Sequence, residues 1–210
     1  MKISVLWVLL LLTVFCISQH VDALEIKIGQ VDSNKVLLLQ GGFDPGDSLK
    51  FADFMRRAGR VDEVWFDSPG GLVDEGLEIG RKIRSLGLAT RIPKNAKCAS
   101  ICAFAFLGGV IRYIEPGGRF GLHMFTISGN VELLEEVTEL IKTYGPQGAA
   151  EIISQIEQES ALAAKEQADY LIEMSVSLRL LFPNYMTSHS DIAWLTRQEL
   201  VSYNVLNTGN

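Results

Sequence analysis

Basic residues, histidine and cysteine are all scarce in this chain. Its 19 Lys and Arg residues are outnumbered by 25 Asp and Glu residues, which gives a formal net charge of −6. Because a nucleic-acid partner requires a basic surface, this balance argues against one. No further Cys or His stands at metal-ligand spacing from Cys98 and Cys102, so we expect no metal site.

Long apolar runs are also absent once the N-terminus is passed. The first residues have the pattern of a targeting segment, because Lys2 precedes an almost wholly apolar run from Ile3 to Ile17. Val21-Asp22-Ala23 then places small or aliphatic residues where a signal peptidase reads them. We predict a signal peptide over residues 1–23, cleaved after Ala23, and a periplasmic or secreted protein. The alternative is an uncleaved anchor, in which case the N-terminus would be the only membrane contact.

Residues 24–210 are enough for a single domain with a substantial core. Removal of Cys16 with the signal peptide leaves Cys98 and Cys102, an even pair in a compartment where disulfides persist. They stand two residues before and two residues after Ser100. Two interpretations stay open: a constrained disulfide across a short loop, or two small buried residues packed near a turn.

The first half of the chain alternates short apolar segments with amphipathic ones, which predicts an α/β fold with right-handed crossovers. Strands are predicted at Leu24–Ile28, Lys35–Gln40, Val61–Asp67 and Leu88–Ile92. One helix is predicted to have Asp47 or Ser48 as its cap and to run to about Ala58. A second is predicted from Val73 to Leu86.

The second half of the chain is rich in helix formers. Val131–Tyr144 is predicted to be one helix, ended by Gly145-Pro146, and Gln147 to about Leu181 a second, unusually long one. Such a length suggests that this helix protrudes or packs on a partner chain. Phe182-Pro183-Asn184 should stop it. A short strand is expected over Asp191–Thr196, with Thr196 capping a final helical turn.

Ser100 lies where a nucleophile could be activated. It follows a strand and a turn and opens an apolar, helix-like segment, where main-chain N–H groups point outwards without partners. A serine hydroxyl needs a base, and it needs donors for the oxyanion that forms when it attacks. The amide of Ile101 would be one donor. The amide of Gly71, in the Ser68-Pro-Gly-Gly71 turn, would be the second, because glycine lets the backbone approach substrate closely. Alternatively, Ser100 only caps a helix and the glycine turn is an ordinary one.

His123 is the candidate base. It lies in the strand-like run Arg119–Phe125, and a strand-end imidazole beyond the serine helix could accept the proton of Ser100. Lys97 offers a different design, a Ser-Lys pair, although a lysine in a turn is more often simply solvated.

These segments resemble the Clp protease proteolytic-subunit family of the ClpP/crotonase superfamily. More narrowly, they resemble its predicted periplasmic relatives, which carry a Cys-x-Ser-x-Cys segment. The resemblance covers roughly Lys35 to Leu206. The matching parts, in chain order, are Ser68-Pro-Gly-Gly71, Ala99-Ser100 with Ala103-Phe104, Gly108-Gly109, the strand bearing His123, and Trp194-Leu-Thr-Arg-Gln-Glu-Leu200.

The resemblance implies a ClpP/crotonase-like spiral of β-β-α units, with residues 131–181 as a helical handle through which subunits pair into a homo-oligomer. It implies a serine peptidase with Ser100 as nucleophile, His123 as base, and the Gly71 and Ile101 amides as the oxyanion hole. The acid of the family's triad falls near Ser188 in this sequence, so Asp191 is the nearest candidate for the third triad residue.

We therefore expect an exported serine peptidase that cleaves peptides or unfolded protein segments without a cofactor. Substrate would lie extended beside Gly70-Gly71-Leu72-Val73 as an added strand. One rival is a crotonase-type acyl-thioester enzyme, which would use the two amides without a serine nucleophile. The other is a catalytically silent binding or assembly protein. If Cys98 and Cys102 are bonded, reduction could shift the Ser100 turn, which makes redox control a further hypothesis.

Overall fold

The computed structural model describes residues 22–126 and 131–208. The predicted signal peptide therefore lies outside the described residues, apart from Asp22 and Ala23. The described strands are β1 (Glu25–Val31), β2 (Asn34–Gln40), β3 (Glu63–Asp67), β4 (Ala89–Ile92), β5 (Lys97–Ala99), β6 (Arg112–Ile114), β7 (Arg119–Leu122) and β8 (Ala193–Trp194). The described helices are α1 (Asp47–Ala58), α2 (Val73–Ser85), α3 (Ile101–Leu107), α4 (Val131–Glu173), α5 (Leu181–Met186) and α6 (Arg197–Ser202).

Two β-sheets carry the fold. The larger has five strands in the order β1-β2-β3-β4-β6, of which β1 is antiparallel to β2 and the others run parallel. The smaller has the order β5-β7-β8, with β5 parallel and β8 antiparallel to β7. Neighbouring parallel strands need long crossover connections, which α1, α2 and α3 provide. The α/β class predicted from the alternation of segments is confirmed.

One structural unit repeats from β3 onwards. A strand of the larger sheet is followed by a short extended stretch in the second layer and then by a helix, as in β4-β5-α3 and β6-β7-α4. The course after β3 is similar, because Ser68 pairs with Cys98 of β5 before α2 begins. Cys98 in turn pairs with Phe120 of β7. Successive repeats therefore place their second-layer segments side by side, and this layer carries the candidate site.

The core forms where α3 packs against its surroundings. All seven residues of this helix are buried, as expected for a helix that is apolar on every face. The end of α4 is anchored beside it, since the buried Tyr170 hydroxyl donates a 2.8 Å hydrogen bond to the Phe104 carbonyl. Elsewhere α4 exposes large apolar side chains, including Val131 and Ile153. In the part of the chain that is described, no helix is both long and apolar enough to cross a membrane.

The predicted strands agree with the structure within a few residues, but the short strands β5 and β6 were not predicted and two helix predictions need correction. The long helix ends at Glu173 rather than near Leu181, and Pro183 lies within α5 instead of stopping a helix. Pro183 stands in the first turn of α5, the part of a helix in which proline is tolerated. The predicted break is found at Gly145, whose φ of 59° and ψ of −141° interrupt α4 before Pro146.

The cap of α1 also differs from the prediction of Asp47 or Ser48. Gly46 is the N-cap residue, and no side chain of the α1 segment itself caps the helix. The Glu75 carboxylate of α2 accepts hydrogen bonds of 2.7 Å from the Gly46 and Ser48 amides instead. At α6 the expectation is confirmed, because Thr196 caps the helix in a reciprocal box with Glu199.

Candidate active site

Ser100 occupies the tight turn between β5 and α3. Its φ of 58° and ψ of −132° lie in a region that residues with a side chain rarely adopt. Its amide donates a 3.0 Å hydrogen bond to the Gly121 carbonyl of β7, which fixes the turn against the neighbouring strand. The residue is only partly buried, so its hydroxyl is accessible to a substrate. A strained backbone at an accessible nucleophile is typical of functional turns.

The two cysteines that flank Ser100 form a disulfide. Cys98 at the centre of β5 and Cys102 in the first turn of α3 are bonded, with 5.2 Å between their Cα atoms. Both residues are 0% exposed. The structure thus decides between the two interpretations that the sequence left open.

Gly70 allows the serine turn to lie against the Ser68–Gly71 turn. A Cβ atom on Gly70 would come within 2.7 Å of the Ser100 Cβ atom and within 3.1 Å of the Ile101 nitrogen. Its φ of 105° is also a conformation that disfavours any other residue. The Gly70 amide is held by the Ser68 hydroxyl at 3.1 Å. Two turns that are far apart in sequence are therefore in direct contact at Ser100.

The two predicted oxyanion donors are both unoccupied. Phe43 pairs with the glycine turn by donating to the Gly70 carbonyl and accepting from the Leu72 amide, both at 2.9 Å. In parallel pairing of this kind the intervening residue directs its own N–H and C=O groups the other way. Gly71 is exposed, and its amide has no partner among the described residues. The amide of Ile101, the first residue of α3, likewise has no partner among these residues, although Ile101 itself is buried.

The predicted substrate edge is shorter than expected. Gly70 and Leu72 use main-chain groups to bind Phe43, and Val73 is already the first residue of α2. A helical residue cannot pair as part of a strand. Within the segment Gly70–Val73, only Gly71 offers main-chain groups to an extended peptide, beside the half-exposed side chain of Leu72.

His123 follows β7, the strand that pairs with the strand before Ser100. Ala99 and Gly121 are partners in this register, so Ser100 and His123 leave adjacent parallel strands at the same end. The imidazole is partly buried, and its Nδ1 atom is buried without a hydrogen-bond partner in the described part of the chain. No hydrogen bond between the Ser100 hydroxyl and this ring is seen among these residues. The two groups are thus on neighbouring segments without being joined.

The surroundings lower the pKa of His123 below that of an ordinary histidine. Burial is the largest cause, and the nearby His189 adds to it, while the main chain of Met124 acts in the opposite direction. Because burial disfavours the charged ring, His123 remains neutral, and able to accept a proton, at lower pH than a free imidazole. The same linkage weakens the fold in acid, since the unfolded chain binds this proton more tightly.

This shift gives a testable pH dependence. If His123 is the base, we expect the acid limb of the reaction with Ser100 to have its midpoint below about pH 6.5, the ordinary value for histidine. In His189→Ala the limb should move up, because a neighbouring positive charge is removed. The second-order rate constant for covalent modification of Ser100, measured against pH, provides the readout. A midpoint above the ordinary value in wild type would contradict this assignment.

Asp191, the candidate for the third triad residue, is not joined to His123. Its carboxylate accepts a 2.7 Å hydrogen bond from the next amide, Ile192, and makes no hydrogen bond or ion pair with His123 in the described residues. The segment beside His123 is Thr187–Ser190, because the Thr187 carbonyl accepts a 3.0 Å hydrogen bond from the Met124 amide. This segment carries two serines, whose hydroxyls are hydrogen-bonded to each other, and His189. In the described chain, no carboxylate is in contact with the imidazole.

An apolar cavity begins one residue beyond His123. It has a volume of about 540 Å³ and lies between the end of the β7 segment, α4 and α5. Met124, Phe125, Ile156, Ala163, Ala164 and Tyr185 form much of its wall. Sequence reasoning missed this site. The adjacent small residues Ala163 and Ala164 are the only sequence feature that could have indicated this cavity, and ordinary helix packing produces the same pattern.

Lys97 is not part of the site. Its main-chain amide donates to the Asp67 carboxylate at 3.1 Å, and its exposed side chain makes no hydrogen bond with Ser100. A search of the described residues finds no cluster of His, Cys, Asp and Glu that could hold a metal ion. No protein-family model matches this chain, and a search of characterised proteins finds no significant match.

Proposed function

We propose that this chain is an exported serine peptidase in which Ser100 forms an acyl-enzyme with peptides or unfolded protein segments. One observation carries the proposal: a strained, partly exposed serine is in contact with the glycine turn, the Gly71 and Ile101 amides have no partner in the described chain, and a histidine follows the adjacent strand. A hydroxyl, a base and two donors that converge on one position are the parts that acyl transfer requires.

The chemistry follows from these roles. His123 takes the proton of the Ser100 hydroxyl as its oxygen attacks the scissile carbonyl, and the Gly71 and Ile101 amides hold the oxyanion that forms. The protonated imidazole then gives its proton to the leaving amine. A water molecule, deprotonated by His123, releases the acyl group from Ser100. None of these steps uses a cofactor.

The repeated strand–strand–helix course supports membership of the ClpP/crotonase superfamily and its spiral. In that reading α4 is the handle, and its exposed apolar residues, such as Leu140 and Tyr144, are the surface for a second copy of the chain. The disulfide supports export, because such bonds persist in oxidising compartments. The apolar cavity beyond His123 supports a preference for substrates with an apolar side chain near the cleaved bond.

The silent binding protein is the second candidate. It is favoured by the absence, in the described residues, of a carboxylate in contact with His123 and of a Ser100–His123 hydrogen bond. Hydrogen bonds of this kind often tighten only when substrate binds, so this geometry does not exclude hydrolysis. The acyl-thioester reading has less support, because it gives the strained serine no role.

A fluorophosphonate probe tests the proposal directly. We expect the purified, folded protein to be modified at a single residue, and mass spectrometry of the digested protein should place the adduct on Ser100. Denatured protein should not react, because the amides and the base act only when the two turns are in contact. If the folded protein stays unmodified while a known serine hydrolase in the same tube reacts, the binding protein is the better reading.

A further inference from the structure

The disulfide spans the nucleophile itself. Cys98 and Cys102 lie two residues either side of Ser100, and their Cα atoms are 5.2 Å apart. An extended chain would separate residues four apart by about 13 Å. The bond therefore excludes any extended path through Ser100 and keeps the chain in a compact reversal at this residue.

Besides the disulfide, main-chain hydrogen bonds hold the Ser100 turn. The Ser100 amide donates to the Gly121 carbonyl and the Ser100 carbonyl accepts from the Ala103 amide, both at 3.0 Å, and the Ala99 amide donates to the Ser68 carbonyl at 3.1 Å. The Ser100 hydroxyl makes no hydrogen bond to the rest of the described chain, so it does not fix its own backbone. A serine at positive φ tends to relax towards the common regions, and such strain persists only when the surroundings enforce it.

The disulfide is also buried and inaccessible to solvent. Both cysteines are 0% exposed, with Cys98 covered by β7 and Ser68 and Cys102 inside α3. Reduction begins when a thiolate approaches one of the sulfur atoms, and burial denies that approach in the folded protein. Reversible redox control of the folded chain is therefore not what this geometry favours.

We propose that the Cys98–Cys102 disulfide is a permanent clamp on the nucleophile, and that the chain gains a reactive Ser100 only when this bond forms during folding. This inference rests on the proposed role of Ser100. Formation is a thiol–disulfide exchange with a disulfide-bearing oxidase or small-molecule disulfide. One cysteine thiolate displaces a thiol from that partner, and the second cysteine displaces the other. The chain loses two hydrogens with their electrons, and the partner leaves as two thiols.

The consequence is activation coupled to export. In a reducing compartment the two cysteines stay as thiols and the turn is free to relax. Ser100 is then not held beside the Gly71 and Ile101 amides and His123. Oxidation after translocation assembles the site. A peptidase built in this way would not attack proteins in the compartment where it is made.

The experiment compares three forms of the full chain. These are oxidised wild type, the Cys98→Ala/Cys102→Ala double variant, and wild type reduced in denaturant and refolded with excess dithiothreitol. Two readouts are taken: the rate constant for fluorophosphonate labelling, and amide hydrogen exchange of the segment that contains Ser100. We expect the second and third forms to be labelled about 100-fold more slowly, as for a small displacement of a reacting group. Their Ser100 segment should exchange faster while β2 and β3 stay protected.

Each control removes one alternative. Ile79→Val lowers stability at a buried position of α2, outside the two turns, so it should keep the wild-type labelling rate. Dithiothreitol added to folded wild type should leave labelling unchanged, and a rapid loss would overturn the permanent clamp in favour of a reversible switch. Wild-type labelling and exchange in the double variant would overturn the proposal altogether. If even oxidised wild type is not labelled, the peptidase proposal fails, and the exchange measurement still decides whether the disulfide holds the turn.

Discussion

Replacing Ser100 by alanine is expected to lower kcat/KM for a peptide ester with an apolar side chain by roughly 10⁴- to 10⁶-fold. The oxygen that forms the acyl-enzyme is lost, and the two amides alone can only polarise the substrate. Stability should change by less than about 0.5 kcal/mol, because alanine carries the same Cβ atom through the same turn. Steady-state hydrolysis and thermal unfolding of the purified variant provide the two measurements. Residual activity within tenfold of wild type would exclude Ser100 as nucleophile.

Ser100→Gly sharpens this test. The observed φ of 58° and ψ of −132° are the mirror image of an extended conformation, so glycine adopts them without strain. We expect this variant to unfold at higher temperature than wild type, with a gain of about 1 kcal/mol, while being as inactive as the alanine variant. If Ser100 is present for catalysis and not for stability, Ser100→Gly should lose activity and gain stability together. A helix-capping serine would give the opposite change in stability.

His123→Ala should be nearly as inactive as Ser100→Ala, and combining the two should cost little more. Nucleophile and base act as one unit, so their effects on kcat are far from additive. His189→Ala is the matched control, since it removes an imidazole from the same region. It should shift the pH profile without abolishing hydrolysis. Independent, multiplying losses at Ser100 and His123 would argue that the two residues do not act together.

The sequence was sufficient for most of the framework and for the candidate groups in it. Hydrophobic patterning located the strands other than the three-residue β5 and β6, and glycine and proline located the turns, because these signals act within a few residues. The contact between the Gly70 turn and Ser100 agrees with the proposed grouping of residues 71, 100, 101 and 123. The errors lie where a distant residue intervenes. The carboxylate of Glu75, which lies in α2, accepts the hydrogen bonds of the first α1 amides, and no pattern within the α1 segment predicts this.

The third residue of the triad shows the same limit. Asp191 is the nearest acid in sequence, but the chain turns so that Thr187–Ser190 reaches the His123 segment and the Asp191 carboxylate accepts a hydrogen bond from its own neighbour, Ile192. A shift of a few residues in a loop is decided by hydrogen bonds such as that from Met124 to Thr187. Composition and spacing do not encode them. The apolar cavity was missed for a related reason, since it is formed by residues from three separate segments.

The largest loss of stability is expected at a residue outside the site, Arg112. Its side chain is 1% exposed, and its guanidinium donates to five main-chain carbonyls, those of Leu107, Gly109, Met174, Asn204 and Val205. Burial, with a contribution from Arg84, lowers its pKa to about 10, so it stays charged at neutral pH. No carboxylate pairs with it in the part of the chain that is described. One cation therefore joins the end of α3, the end of α4 and the C-terminal segment.

Arg112→Met fills most of the same volume but removes every donor. Arg84 still bonds the Leu107 and Met174 carbonyls, at 3.1 Å each, so the carbonyls of Gly109, Asn204 and Val205 are the ones left without this donor. Asn204 is exposed, so water can replace the donor at its carbonyl, whereas Gly109 and Val205 are buried. Each buried orphan costs about 1–3 kcal/mol, so we expect a loss of roughly 2–5 kcal/mol in the free energy of unfolding. Chemical denaturation provides the measurement. Arg56→Met is the matched control: that side chain is 76% exposed in an ion pair with Asp53, and its loss should cost under about 1 kcal/mol. Equal losses in the two variants would mean that the cation at Arg112 is not what joins these three chain segments.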